Sequence, residues 1–170
     1  GSIQETYEKL PLSFEANTGQ TDAAVKFMAR GQGYSLFLAE HETVLSLRAN
    51  RPERHSAVDS LKRSRDVRSA DVNALRMSLV GSNRADAIIG NDELEGKSNY
   101  FIGNDPTKWR TNVSHYAKVR YTNVYSGIDQ IYYGNQGRLE YDFIVEPFAD
   151  HKQIRLRFEG TERIDIDDAS

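Results

Sequence analysis

Apolar and polar residues alternate with a period of two along most of the chain. In the first half, four segments alternate in this way: 25–30, 34–38, 43–47 and 75–80. This pattern is typical of strands that bury one face and expose the other. Residues 31–33, Gly-Gln-Gly, supply a turn between the first two segments, because glycine adopts the positive φ angles of tight turns. We therefore expect an antiparallel meander in the first half.

The second half shows the same alternation with more aromatic residues. Its predicted strands cover 116–121, 127–133, 138–145, 154–158 and 164–167. Residues 134–137, Gly-Asn-Gln-Gly, have the length and composition of a hairpin turn. In the strand that follows, one face carries the apolar set that should line the core: Leu139, Tyr141, Phe143 and Val145.

The fold class follows from these hairpins and from the lack of a long amphipathic helical pattern. Both features predict an all-β fold of about ten antiparallel strands. We expect a β-sandwich, with a single large curved, supersandwich-like sheet as the alternative. Residues 48–72 interrupt the pattern, since they are rich in arginine and poor in apolar side chains. They predict a long mobile loop.

The length of 170 residues suits one domain. We expect a single β-rich domain over 10–168, preceded at 1–9 by a tag and an N-terminal extension, because Gly1-Ser2 resembles a cloning remnant. The last predicted strand begins just before the chain stops, which suggests the N-terminal part of a longer domain. A missing strand would expose a sheet edge, which favours pairing with a downstream segment or self-association.

Composition excludes several classes of function. The net charge of −3 argues against nucleic-acid binding. The sequence has neither an apolar run of about 18 residues, as a membrane span requires, nor the apolar segment of a signal peptide. With no cysteine there are no disulfides or thiolate sites. The spacing of the four histidines does not fit a zinc site: His41, His55, His115 and His151. The sequence also has no Gly-x-Ser-x-Gly motif, which would mark a serine nucleophile.

Two carboxylates on one predicted strand face are the only candidate catalytic pair. Glu140 and Asp142 lie about 7 Å apart by the rise of a strand, a separation compatible with acid–base chemistry on a sugar. Arg138 shares their face, so the same residues fit an ordinary surface charge ladder, which is the favoured interpretation.

Two Gly-Asn-Asp segments predict turns whose oxygens are candidate calcium ligands. They contain Asn91 and Asp92 in the first and Asn104 and Asp105 in the second. Calcium binds six to eight oxygens, and neither segment has the EF-hand pattern. Asn and Asp beside Gly more often cap turns. We expect no cofactor, with structural Ca²⁺ as the open possibility.

Eight aromatic residues lie between positions 100 and 133. Aromatic faces on β-folds stack sugars, and Trp109 with Tyr100 and Tyr116 forms the candidate ligand-binding set. The alternative, favoured because large aromatic residues are mostly buried, is that Trp109 plugs one end of the core.

Long motifs support a resemblance to a known family. They span residues 12–20, Leu-Ser-Phe-Glu-Ala-Asn-Thr-Gly-Gln, and residues 96–113, together with 125–129 and 132–143. Over residues 10–167 the chain resembles the uncharacterised N-terminal domain of large secreted bacterial proteins that carry SBBP-type β-propeller repeats and immunoglobulin-like modules. It departs from that pattern at 147–150, where Pro-Phe-Ala-Asp replaces the usual Pro-Gly-Ala-Asp.

The resemblance implies an exported or cell-surface location and carries no catalytic residues. We therefore expect a non-enzymatic extracellular module with a structural or adhesive role in a multidomain protein. A carbohydrate-binding β-sandwich and a carbohydrate-active enzyme are the alternatives. The expected partners are downstream domains of the same polypeptide and, for the second function, polysaccharide.

Overall fold

A computed structural model describes residues 11–47 and 73–160. The predicted loop at 48–72, the extension at 1–9 and the predicted strand at 164–167 lie outside these residues. The described part is built from antiparallel strands, two short 3-10 helices and turns, so the all-β prediction is confirmed. It contains no helix that is long and apolar enough to cross a membrane.

The first half forms the expected meander, preceded by a strand that alternation did not predict. The strands are β1 (Phe14–Ala16), β2 (Val25–Gly31), β3 (Tyr34–Ala39), β4 (Thr43–Leu47) and β5 (Asn73–Leu79). Each of these strands pairs with the next in antiparallel fashion.

The second half contains a long hairpin and a shorter one. Its strands are β6 (Ile88–Tyr100), β7 (Arg110–Tyr125), β8 (Ile128–Asn135), β9 (Arg138–Val145) and β10 (Leu156–Glu159). The 3-10 helices, Pro106–Lys108 and His151–Gln153, lie before β7 and before β10. Strand β10 returns to pair with β5, which gives the order β10-β5-β4-β3-β2-β1-β7-β8-β9, with β6 paired to β7 beside this path.

Strand β1 joins the two halves of the sheet. Phe14 pairs with Ala29 on β2 and with Tyr116 on β7. The Phe14 side chain is fully buried in the core, and Glu15, on the opposite face, is also buried, with 5% exposed. Along the sheet path of the described residues, β1 is the connection between β2 and β7.

The sheet curls so that strands far apart in its order pack against each other. Thr43 Oγ1 on β4 lies 2.7 Å from Tyr132 Oη on β8. The Tyr121 hydroxyl on β7 donates to the Ala39 carbonyl at 2.8 Å. The core lies inside this curl, and its fully buried apolar side chains include Phe14, Leu36, Leu38, Val119, Ile128 and Tyr132.

The architecture is therefore one curled sheet, and a sandwich of two separate sheets is not confirmed. The physical reason is β1, which hydrogen-bonds to β2 on one side and to β7 on the other, so the two halves of the sheet form one continuous sheet. Leu139, Tyr141 and Phe143 pack against the core as expected. Val145 does not, because it ends an edge strand and stays 39% exposed.

Candidate functional site

The loop after β1 holds its shape through the side chain of Asn17. Its Nδ2 donates to the carbonyls of Asp22 and Val25, both at 2.8 Å, and its Oδ1 accepts from the Gly19 amide at 3.0 Å. Gly19 has a φ of +115°, and a Cβ there would lie 2.7 Å from Arg110 Nε. Glycine is therefore required where this loop packs on the start of β7.

The buried carboxylate of Glu15 lies beneath the end of β6. Its Oε1 accepts hydrogen bonds from the Tyr100 hydroxyl at 2.5 Å and from Gln20 Nε2 at 2.9 Å. Arg30 Nη1 donates to the same Tyr100 hydroxyl at 3.1 Å. Burial, and secondly the hydrogen bond to Glu15, raises the pKa of Tyr100, so Tyr100 remains a donor. Charge-assisted hydrogen bonds of this kind are stronger than neutral ones.

His115 pairs with Glu15 across β1 and β7. Its Nδ1 lies 3.1 Å from Ser13 Oγ and its Nε2 lies 2.6 Å from Ser98 Oγ. The Nε2 is 3.7 Å from Glu15 Oε2. Both ring nitrogens thus have hydroxyl partners, and across 11–47 and 73–160 no group of three or more His, Cys, Asp or Glu side chains is arranged to hold a metal ion.

These contacts form one set, which we call the Glu15 network. Its members are Ser13, Glu15, Gln20, Arg30, Ser98, Tyr100 and His115. Apart from Arg30, they come from residues 12–20 and from the β6–β7 hairpin (88–125), so the motif at 12–20 meets the hairpin that contains the motif at 96–113. Sequence reasoning missed the network because Glu15 and Tyr100 are 85 positions apart. The one signal in the sequence for this network is that a carboxylate, Glu15, directly follows Phe14 in an apolar segment.

The connection between β6 and β7 exposes three apolar side chains, which we call the aromatic tip. Phe101, Ile102 and Trp109 are 64%, 49% and 37% exposed. The Phe101 and Trp109 rings are perpendicular, with centroids 5.2 Å apart. The Trp109 Nε1 donates to the Gly103 carbonyl at 3.1 Å. Trp109 is therefore a surface residue, and the interpretation of it as a core plug is wrong.

The turn beneath the tip is capped by Asp105. Its Oδ1 accepts from the Thr107 amide at 3.0 Å and from the Thr107 hydroxyl at 2.6 Å. These hydrogen bonds lower the pKa of Asp105. The tip is thus a defined conformation, fixed by its own hydrogen bonds.

The predicted stacking set does not share one surface. Tyr100 points to Glu15 in the Glu15 network. Tyr116, directly opposite Phe14 in the sheet, faces the core and packs edge-on against Phe27, with ring centroids 5.8 Å apart. Of the three predicted residues, Trp109 alone belongs to the aromatic tip, where its aromatic neighbour is Phe101.

The Tyr116 ring also covers Gly90 of β6, which makes that glycine sensitive to substitution. A Cβ at Gly90 would lie 2.4 Å from Tyr116 Cγ. We expect Gly90→Ala to lower the free energy of unfolding by about 1–3 kcal/mol, because the ring must move out of a packed site. In Gly96→Ala, in the same strand, the new Cβ would point into open space. This substitution should change the free energy of unfolding by less than about 0.5 kcal/mol. Urea unfolding of both variants measures the difference, and equal values would contradict this packing.

The calcium candidates are not brought together. Asn91 and Asp92 lie within β6, where Asn91 pairs with Lys118, so the first predicted turn is wrong. Asp92 Oδ2 lies 3.4 Å from Lys118 Nζ. Asn104 and Asp105 lie beyond the far end of β6, in the turn below the aromatic tip. A structural calcium role stays a prediction, which melting curves in Ca²⁺ and in EDTA would test.

The candidate catalytic pair lies on β9 with partners on β8. Asn135 Nδ2 donates to Glu140 Oε1 at 3.0 Å, and the Tyr133 hydroxyl donates to Asp142 Oδ2 at 2.8 Å. Both carboxylates are thus engaged in cross-strand hydrogen bonds, as in an ordinary polar strand pair. Acid–base catalysis by this pair stays a prediction.

The Asp142 carboxylate has a measurable effect on the pKa of the neighbouring Tyr133. Its hydrogen bond is the main reason that the pKa of Tyr133 is raised to about 12, and the Glu140 hydrogen bond adds to it. We expect Asp142→Asn to return this pKa most of the way toward 10, and Glu140→Gln to lower it less. Absorbance titration of the phenol, with Tyr133→Phe to assign the signal, measures the shift.

The raised pKa of Tyr133 makes the stability of the fold depend on pH. Because the folded-state pKa lies above the unfolded one, folding is favoured by this group below about pH 10, and the contribution is lost as the pH rises toward 12. An unchanged Tyr133 titration in Asp142→Asn would contradict the assignment.

Comparison with known protein families identifies one family that matches the chain. The family model described as "Domain of unknown function (DUF7948)" matches residues 14–170. No curated protein and no solved structure matches the chain. The match includes β1, both hairpins and the aromatic tip. The chain therefore belongs to the DUF7948 family of domains of unknown function.

Proposed function

We propose that this domain is a non-enzymatic module with a structural or adhesive role in a multidomain, extracellular or cell-surface bacterial protein, and that the aromatic tip is its contact surface. The observation that carries the proposal is the exposure of Phe101, Ile102 and Trp109 at one end of the β6–β7 hairpin. Clustered apolar side chains at the surface typically mark interaction sites.

The scaffold beneath the tip supports this role. Tyr100, the residue directly before the tip, is fixed by its hydrogen bonds to Glu15 and Arg30. The Trp109 indole is held by its bond to Gly103. A contact surface that is ordered before binding loses less conformational entropy on association, so a small apolar area contributes more to affinity.

Carbohydrate binding is the second candidate, and the ring geometry at the tip favours it. The perpendicular Phe101 and Trp109 rings form an angular surface in which one ring can stack on a sugar while the other contacts its edge. Asn99 and Asn112 lie on the adjoining strands, and side-chain amides are groups that hydrogen-bond sugar hydroxyls. The Asn99 Oδ1 accepts from the Asn112 backbone amide at 2.9 Å, which leaves the Asn99 NH2 group to donate.

Retention of protein-coated beads on immobilised bacterial cell-wall preparations and polysaccharides tests both functions. The tip variant combines Phe101→Ser with Trp109→Ser. The control is Phe148→Gly, because Phe148 is the most exposed aromatic residue described and its φ of +72° is one that glycine adopts readily. We expect the wild type and the control to bind alike, and the tip variant to lose at least about tenfold in affinity.

The outcomes separate the two candidates. Retention that free oligosaccharide competes away supports carbohydrate binding, whereas retention that sugars leave unchanged supports protein-mediated adhesion. A tip variant that melts like the wild type and is retained equally well excludes the tip as the contact surface. Failure of the wild-type beads to bind any of these surfaces contradicts the adhesive role.

A further inference from the structure

The aromatic tip lies at the end of a two-stranded extension of the sheet. Strand β1 pairs with β7 at His115 and Tyr116, and β8 pairs with β7 from Lys118 onward. Among the described strands, residues 110–114 of β7 pair with β6 alone. The tip therefore has an accessible position for contact with a flat surface.

The turn beneath the tip, residues 106–109, uses its hydrogen-bond donors internally. The Thr107 amide and hydroxyl donate to Asp105 Oδ1 at 3.0 and 2.6 Å. The backbone amides of Lys108 and Trp109 donate to backbone carbonyls three residues earlier, both at 3.1 Å. The proline that begins the turn has no N–H, and the Trp109 indole donates to a carbonyl of the same connection at 3.1 Å. In this turn, the Lys108 ammonium is the donor that is left for a partner.

These internal hydrogen bonds decide which kind of partner suits the tip. An environment without hydrogen-bonding groups, such as the acyl region of a bilayer, penalises every unpaired N–H or O–H. Because the Trp109 indole and the Thr107 hydroxyl are already bonded, they can enter such an environment without this penalty. Phe101 and Ile102 gain free energy by leaving water. Recognition of sugar hydroxyls uses free donors, which in this turn are already occupied.

The charges around the tip fit an anionic surface. Lys108 is exposed, and Arg110 Nη1 donates at 3.2 Å to two backbone carbonyls of the turn, which are neutral and leave its charge uncancelled. Asp105 is the only carboxylate of residues 101–110, so two positive charges and one negative give this segment a net charge of +1, in a chain of net charge −3. A carboxylate is costly in hydrocarbon, so Asp105 limits insertion to the interface.

We propose that the aromatic tip docks on an anionic lipid bilayer, with its three apolar side chains at the level of the headgroups and Lys108 on the lipid phosphates. Aromatic side chains, tryptophan among them, are enriched in this interfacial region. Binding there scales with the apolar area that is buried and with the attraction between basic residues and anionic lipids. The inference rests on the proposed function, because it names the partner of the same contact surface.

Vesicle binding followed by Trp109 fluorescence tests the proposal, since Trp109 is the single tryptophan of the chain. The probes are vesicles of phosphatidylcholine alone and of phosphatidylcholine mixed with phosphatidylglycerol, each prepared with and without lipids brominated on the acyl chains. We expect binding to the mixed vesicles, with emission that shifts to shorter wavelength and is quenched by the brominated chains. Neutral vesicles should bind at least about fivefold more weakly.

Two matched pairs of variants assign the binding to the tip, and all four keep the Trp109 probe. Phe101→Ser should lower the affinity for mixed vesicles about tenfold, whereas Phe148→Gly, at the most exposed aromatic residue described, should bind like the wild type. Lys108→Gln should lower this affinity about fivefold. Lys152→Gln, in the corresponding last turn of the other 3-10 helix described, should leave it unchanged.

The outcomes separate this inference from the proposed function. Absence of wild-type binding to the mixed vesicles, or binding without quenching by the brominated chains, overturns the lipid partner. So does equal affinity of Phe101→Ser and the wild type when both melt alike, and equal affinity of Lys108→Gln overturns the role of anionic lipid. Tip-dependent retention on cell-wall beads without vesicle binding rejects the lipid partner and leaves the proposed function standing, whereas loss of both rejects both. The wild-type quenching decides the question even where a variant fails to fold.

Discussion

Truncation of Phe14 to alanine is expected to lower the free energy of unfolding by about 3–5 kcal/mol, the range for a fully buried phenylalanine. The side chain is 0% exposed and packs where β1 bonds to both β2 and β7. The loss therefore combines a cavity in the core with a weaker connection between the halves of the sheet. Phe37→Ala, at a half-buried phenylalanine of β3, is the control and should cost clearly less.

Denaturant unfolding monitored by tryptophan fluorescence and by circular dichroism measures both variants. Trp109 reports on the β6–β7 hairpin, and circular dichroism reports on the whole sheet. We expect the two probes to give one coincident transition in the wild type, because β1 couples the halves. A Phe14→Ala variant no less stable than Phe37→Ala would contradict the assigned role of β1.

Replacement of Glu15 by leucine is expected to lower the free energy of unfolding by about 1–3 kcal/mol, because it leaves the half-buried donors of Tyr100 and Gln20 without their carboxylate acceptor. Glu15→Gln is the matched control. It keeps the shape and one acceptor oxygen while removing the charge, and should cost about 1 kcal/mol.

Hydrogen exchange locates the effect of Glu15→Leu. Exchange of backbone amides in the β6–β7 hairpin should accelerate more than exchange in β3, because Tyr100 and Ser98 belong to the hairpin and β3 has no member in the Glu15 network. Equal acceleration in both regions would mean that Glu15 stabilises the fold as a whole without holding the hairpin.

The strands that could be predicted from the sequence are those with one buried face. Strands β2, β3, β4, β8 and β9 alternate clearly, since the core lies on one side of each, and their bounds agree with the prediction within about two residues. Strand β1 has only three residues, and its first two are buried on opposite faces, so it shows no alternation.

Strand β6 escaped prediction for the opposite reason. Most of its residues are exposed on both faces, so the sequence has no apolar stripe, and its Gly-Asn-Asp segment has the composition of a turn. Its pairing with β7 supplies the strand geometry that its own residues do not specify. Tertiary context outweighs local propensity in such strands.

The candidate site could be predicted only in part, because its residues are distant in sequence. Trp109 was identified from the cluster of aromatic residues around it in the sequence and from its place after a polar turn. Phe101 was not, although it packs against Trp109. The partnership of Glu15 with Tyr100 depends on the fold that brings β1 under the end of β6, and no spacing rule applies to it.

The central claim is that the motif at 12–20 and the β6–β7 hairpin form one unit through the bond between Glu15 and Tyr100. A double-mutant cycle of Glu15→Gln and Tyr100→Phe, measured by denaturant unfolding, tests it most directly. We predict a coupling energy of about 1 kcal/mol or more, in the range of residues that share one hydrogen-bond network. Additive effects within about 0.3–0.5 kcal/mol would contradict the claim, since they would show that the carboxylate and the hydroxyl act independently.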